Sequence, residues 1–300
     1  MVRYTISEIN KGLSEAGYLS NAEINYAVSA CINQNIPLII EGDPGVGKTA
    51  LSKAVAKMTG LDFLRVQFYE GLTQDKILYD FDYQKQLLTL TAIKDAINEQ
   101  IRGKSLQESL NVMQDVNFYS EDFLIKRPIL ESLAGEKQYV LLLDEIDKSS
   151  EEIEYTLLEM LDEYAITIPE YGTVKCPEEK RPIVFLTSNR YRELSDALKR
   201  RCNYLYIPKK SRDEIEQILY MQAKVSDRIV NGVVNCMMKI RELGLKQEPS
   251  IAEGITWAQY LETMSAEDEH NLSKTICMLA KNEDDRKILL LSGIINEKLF

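Results

Sequence analysis

Gly42-Asp43-Pro44-Gly45-Val46-Gly47-Lys48-Thr49 fits the pattern GxxxxGK[ST]. Its glycines let the backbone curl until successive amide hydrogens face inward, and a helix opening after the loop adds the positive end of its dipole. Such a loop cradles phosphates. Lys48 is suited to reach the β and γ phosphates of a nucleotide, and the Thr49 hydroxyl to hold Mg²⁺. Asp43, Pro44, Val46 and Ala50 complete the segment that would wrap the ligand. The reading therefore implies ATP and Mg²⁺ as cofactors.

The flanks support the loop. Pro37-Leu38-Ile39-Ile40-Glu41 is a short apolar run without a polar face, as a strand buried on both sides requires. After the loop, Leu51, Val55 and Met58 recur at helical spacing up to Thr59, and Gly60 stands where a helix ends. Upstream, Ser20 with Glu23 reads as a capping box for a helix carrying Ile24, Val28 and Cys31.

Further strands are expected at Phe63 to Tyr69, where Leu64, Val66 and Phe68 alternate with Arg65, Gln67 and Tyr69, and at Tyr139 to Leu143, Ile183 to Thr187 and Tyr204 to Ile207. Residues 70–118 break the alternation and read as an insertion at the sheet edge, with a helix near 91–101; another helix is expected over 121–134. Ser149 with Glu152 opens a helix, and Ala165 to Ile168 with Gly172 to Lys175 form a small hairpin. Strands alternating with helices imply a parallel αβα sandwich. Beyond residue 209 only helical patterns remain, opened by Ser211 with Glu214 and Ser250 with Glu253. This divides the chain into an α/β core over 1–209 and a smaller all-helical lid over 210–300.

Leu141-Leu142-Leu143-Asp144-Glu145 places two acids at the end of a buried strand, where the ligand crevice of an open α/β sheet lies. Asp144 suits the water shell of the magnesium ion. Glu145 suits the base that polarises the attacking water. Asp147 would orient the loop or cap the next helix. Thr187-Ser188-Asn189 ends another strand, so Asn189 can reach the attacking water or the γ-phosphate. In Lys199-Arg200-Arg201, one arginine could offset charge on a transferring phosphoryl group, although periodicity alone favours a solvated basic turn.

The series GDPGVGKT, LLLDEID, FLTSN and ELSDALKRRC, followed by a helical region, resembles the AAA+ ATPases. The stretches RVQFYEGLTQDKILYDFDYQKQLL, FLIKRPIL and LLEMLDEYAITIPEYGTV resemble, more narrowly, the MoxR family. The resemblance implies Lys48 and Thr49 as Walker A contacts, Asp144 and Glu145 as the Walker B pair, and Asn189 as the first sensor. It makes Arg201 the first candidate for the arginine finger and Arg200 the second. It further implies a ring, usually hexameric, in which the finger reaches a neighbouring subunit's nucleotide. Gln67 would hold Glu145 away from the water until a client binds. The family's second sensor arginine is missing, since Ala252 stands at that position, leaving Arg241 as a substitute. The implied function is ATP-driven, chaperone-like assembly or remodelling of a protein complex with a von Willebrand factor A domain partner.

Composition constrains the alternatives. A DNA-directed AAA+ protein of the clamp-loader or helicase-loader type is the competing reading, and a formal net charge of -11 works against it. A small-molecule kinase would need a single acceptor pocket. A GTPase would need an NKxD motif, which does not occur. The apolar runs fall short of the ~20 residues that span a bilayer, and the first residues lack a signal-peptide pattern, so a cytoplasmic location is expected. The five cysteines never take CxxC spacing and read as reduced thiols.

Overall fold

The computed structural model describes residues 3–101, 119–135, 137–169, 171–264 and 268–296. Helices α1 (Ile6–Glu15) and α2 (Ala22–Gln34) precede strand β1 (Leu38–Glu41), which runs through the phosphate-type loop into α3 (Lys48–Thr59) and then β2 (Asp62–Gln67). Next come α4 (Gln74–Leu78), β3 (Tyr79–Phe81), α5 (Tyr83–Ile101), β4 (Leu124–Lys126) and α6 (Pro128–Ala134). Strand β5 (Tyr139–Asp144) leads to α7 (Glu151–Glu163), the hairpin β6 (Ala165–Ile168) and β7 (Gly172–Lys175), β8 (Ile183–Ser188), α8 (Asp196–Arg200) and β9 (Asn203–Tyr206).

The main sheet has five strands in the order β2-β5-β8-β1-β9, all parallel. Alternation along the strands divides its side chains between two cores. Leu141, Leu143, Val184 and Leu186 join one cluster with α7, while Val140, Leu142, Ile40 and Phe185 join another with α1, α2 and α3. Both faces are therefore dry, which explains the unbroken apolar runs in β1, β5 and β8. This is the αβα sandwich expected from the sequence. Because every strand runs the same way, Glu41, Gln67, Asp144 and Ser188 end at one edge.

Beyond β9 lie α9 (Arg212–Gln222), α10 (Asp227–Glu242), α11 (Ile251–Glu262), a 3₁₀ run (Asp268–Met278) and α12 (Glu283–Ser292). They enclose a third core centred on Trp257, Val230, Val233 and Leu219. The capping boxes at Ser211 and Ser250 form as expected, each serine accepting from the amide of the glutamate three residues on and each glutamate accepting in return.

Several local expectations are corrected. Asn21, not Ser20, caps α2 by accepting from Ile24 N at 2.9 Å, while the Ser20 hydroxyl donates to Asn10. Ser150, not Ser149, caps α7, because the Ser149 hydroxyl is spent on Ile146 O and on Arg192. The single helix over 121–134 is instead a 3₁₀ turn, strand β4 and the seven-residue α6. Pro128 explains this, since proline disfavours helix in the residue before it and is itself at home in a first turn. The helix near 91–101 starts earlier, at Tyr83. In the insertion over 70–118, residues 102–118 lie outside the described residues, while 79–81 pairs antiparallel with β4. Among the described residues, no helix is long and apolar enough to cross a membrane.

Candidate functional site

The shared sheet edge brings distant segments into one cavity of about 280 Å³, lined by Gly45, Lys48, Thr49, Asp144, Glu145 and Asn189 among others. Gly45 and Gly47 take φ of +81° and +101°, a region that favours glycine, and the curl of the loop depends on it. A Cβ at Gly45 would lie 2.7 Å from Ser250 Cβ. The loop and the start of α11 thus touch at a point where only glycine fits.

Lys48 is buried, and its ammonium donates to Gly42 O at 2.7 Å, Asp43 O at 3.0 Å and Asn189 Oδ1 at 2.7 Å. Burial lowers its pKa; Asp147, Asp144, Asp43 and Glu145 pull in the opposite direction without overcoming it. The Thr49 hydroxyl donates to Asp144, lying 3.2 and 3.3 Å from its two oxygens. Thr187 Oγ1 donates to Asp144 Oδ1 and accepts from Glu145 N at 2.9 Å, fixing the carboxylate and the turn after it.

Glu145 sits in the left-handed region at φ +58°, a conformation costing ~1–3 kcal/mol that persists only where surroundings impose it. Its carboxylate accepts from Gln67 Nε2 at 2.8 Å and Asn189 Nδ2 at 3.3 Å, and pairs with Lys148 Nζ at 2.7 Å. Lys148 is raised in pKa chiefly by that hydrogen bond. Asp147 is fully buried and accepts from Asn189 N at 2.9 Å and Tyr191 N at 2.8 Å, so it orients the sensor loop.

A divalent cation fits this donor set. Thr49 and Asp144 offer adjacent hard oxygens, and no cluster of three His, Cys, Asp or Glu side chains competes as a metal site among the described residues. A cation here would complete its shell with phosphate oxygens and water. Next to the loop, Tyr18, Leu19, Val46, Ile218, Ile251 and Ile255 line a mainly apolar slot of about 110 Å³ that suits a flat heterocycle. A larger cavity, about 630 Å³, opens on the other side of α3 by Lys53, Lys57 and Lys224, but no motif carboxylate lines it.

Of the residues singled out in the sequence, Arg200 and Arg201 do not enter the cavity. Arg201 pairs with Asp162 of α7 at 2.5 Å and donates to Ala197 O at 3.0 Å. Arg200 is exposed at the end of α8. Ala252 does line the cavity and brings no charge, while Arg241 donates to Lys210 O at 2.6 Å and is not among the lining residues. The sequence reading missed Thr187 and Lys148, and it saw Arg65 only as a polar position in an alternating strand. Arg65 lines the cavity and contacts Asp144. A charge in the middle of a sheet strand was the available signal.

Residues 37–202, more than half of the chain, match the family model of the AAA domain (dynein-related subfamily). No curated protein matches the chain.

Proposed function

The chain belongs to the dynein-related subfamily of AAA domains, and from that membership together with the site's geometry we propose that it is a MoxR-type ATPase that hydrolyses ATP to ADP and phosphate. AAA domains are nucleotide-hydrolysing ATPases; the finer assignment rests on the residues. One observation carries it: a single cavity gathers Gly45, Gly47, Lys48, Thr49, Asp144, Glu145 and Asn189 from three strand ends.

In this reading the loop amides and Lys48 hold the phosphates, and the apolar slot beside Tyr18 and Ile251 takes the adenine. Thr49 and Asp144 hold Mg²⁺, which when bound neutralises charge on the β and γ phosphates. Glu145 orients the attacking water and accepts its proton, and Asn189 positions Glu145 against Lys48. Residues 1–209 act as the catalytic core and 210–300 as a lid. Arg200 or Arg201 of one subunit completes the site of the next within a ring, and turnover drives remodelling of a protein complex alongside a von Willebrand factor A domain partner.

The test is phosphate release by the purified chain with ATP and Mg²⁺ over a range of protein concentrations, beside Glu145→Gln. The reading expects turnover that rises more steeply than protein concentration, and a variant that binds ATP but loses ~10²–10⁴ in rate. Linear dependence on concentration would remove the ring, and an active Glu145→Gln would remove the base. Salt-sensitive DNA binding by the wild-type chain would favour the DNA-directed alternative.

A further inference from the structure

Strand β2 is the edge of the sheet, and it projects two polar side chains, Arg65 and Gln67, from one face. In register, Gln67 lies opposite Asp144, and Arg65 opposite Leu142. Both side chains turn onto the carboxylates that end β5. Arg65 Nε donates to Asp144 Oδ2 at 2.9 Å, and Nη2 pairs with the same oxygen at 2.5 Å. Arg65 Nη2 also donates to Gln67 Oε1. That bond fixes the Gln67 amide with its nitrogen toward Glu145, to which it donates at 2.8 Å. One strand thus holds both carboxylates, and the guanidinium sits at the head of the chain.

The acceptor capacity of Asp144 makes this consequential. A carboxylate offers about four lone-pair sites. Thr187 lies on Oδ1, Thr49 bridges both oxygens, and Arg65 places two donors on Oδ2. A divalent cation can bind Asp144 only by displacing one of these. Thr187 is fully buried, and the Thr49 hydroxyl is itself a cation donor. Arg65 is the charged partner, its side chain 44% exposed, and a second cation on the same carboxylate repels it.

Resting on the ATPase reading, we propose that Arg65 is a positioning residue that competes with the divalent cation for Asp144 Oδ2 and, through Gln67, holds Glu145. Seating the cation moves Arg65 off Asp144, which also releases the Gln67 amide. A single shift of the edge strand that leads into the insertion would disengage both contacts.

The experiment is a Mn²⁺ titration of the full chain with saturating ADP, read by the electron paramagnetic resonance of free Mn²⁺, so that no turnover is needed. Arg65→Ala should lower the Mn²⁺ half-saturation about fivefold, the size expected for losing one partly exposed ion pair. Arg65→Lys, a point charge without the fork, should fall between it and wild type. Gln67→Ala, which removes no donor from Asp144 but takes away the bond that helps seat the Arg65 guanidinium, should lower the Mn²⁺ half-saturation by less than Arg65→Ala does. Arg65→Gln serves as the neutral variant if Arg65→Ala does not fold. Unchanged or weaker Mn²⁺ binding in the neutral variants overturns the inference while leaving the ATPase reading intact. A wild-type chain that binds no ADP overturns both.

Discussion

The ammonium of Lys48 lies 2.7 Å from the amide oxygen of Asn189, a contact between residues 141 positions apart that ties the phosphate-type loop to the end of β8. Asn189 also donates to Glu145, so one amide reports to the cation and to the base. Asn189→Ala should therefore lower kcat on the order of 10²-fold, as loss of one oriented polar group does, with little change in ADP affinity. Steady-state phosphate release and ADP calorimetry on the same preparation check this. A variant that lost affinity and kept kcat would make Asn189 a binding residue instead.

The lowered pKa of Lys48 has a sign that can be followed. A phosphate ligand favours the protonated lysine, so ADP affinity should hold near neutral pH and fall as pH rises, beginning below the ordinary lysine range. Lys48→Arg, which does not deprotonate, should bind more weakly and show a flat profile. The same shift makes folding stability rise with pH between the folded and unfolded pKa of Lys48, because the unfolded chain binds more protons there. Calorimetric titrations from neutral pH upward decide the first point.

Arg200 and Arg201 should separate in their effects. Arg201→Ala removes the link between Asp162 and the end of α8, at a cost of about 1 kcal/mol for a partly exposed pair. Arg200→Ala should change stability by no more than about 0.5 kcal/mol. If Arg200 acts across subunits, its loss should reduce turnover by ~10³-fold or more. Mixing Arg200→Ala with Glu145→Gln should then restore part of the rate in mixed rings. Denaturant midpoints and rates on the mixtures distinguish the residues.

The core of the C-terminal helices is expected to depend on Trp257. It is fully buried, and Nε1 donates to Thr275 Oγ1 at 2.9 Å. Trp257→Ala should cost about 3–5 kcal/mol. Thr275→Val, which strands the indole N–H, should cost about 1–3 kcal/mol. Urea unfolding followed by far-UV circular dichroism measures both.

Thiol labelling should find one fast site. Cys31 and Cys236 are fully buried and raised in pKa by burial, the latter to about 12, and the half-buried Cys202 is likewise pushed up to about 12. Cys176 is buried and raised as well. Cys277 is exposed. A maleimide reagent on the native chain should modify Cys277 first, with mass spectrometry giving the order.

How much of this was legible beforehand depends on the range of the interaction concerned. The octapeptide at Gly42, the apolar strands and the capping boxes at Ser211 and Ser250 are local patterns; the capping boxes form at the expected residues, and the strands form within about two residues of their expected bounds. Ser20 and Ser149 were misread because the choice between adjacent capping residues turns on tertiary partners, Asn10 for the one and Arg192 for the other. The break at Pro128 was written in the sequence as a proline, but the pairing of the preceding strand β4 with β3 was not.

The sequence by itself determined the parallel αβα core, the loop and the two acids at a strand end, because backbone geometry and burial on both faces restrict which residues can stand there. Only the tertiary structure decided the rest: that Asn189 joins Lys48 to Glu145, that Arg201 is engaged with Asp162, and that Arg65 lies on Asp144. The physical reason is that register along a parallel sheet sets which side chains meet at its edge. That register comes from packing across the whole sheet rather than from any one segment.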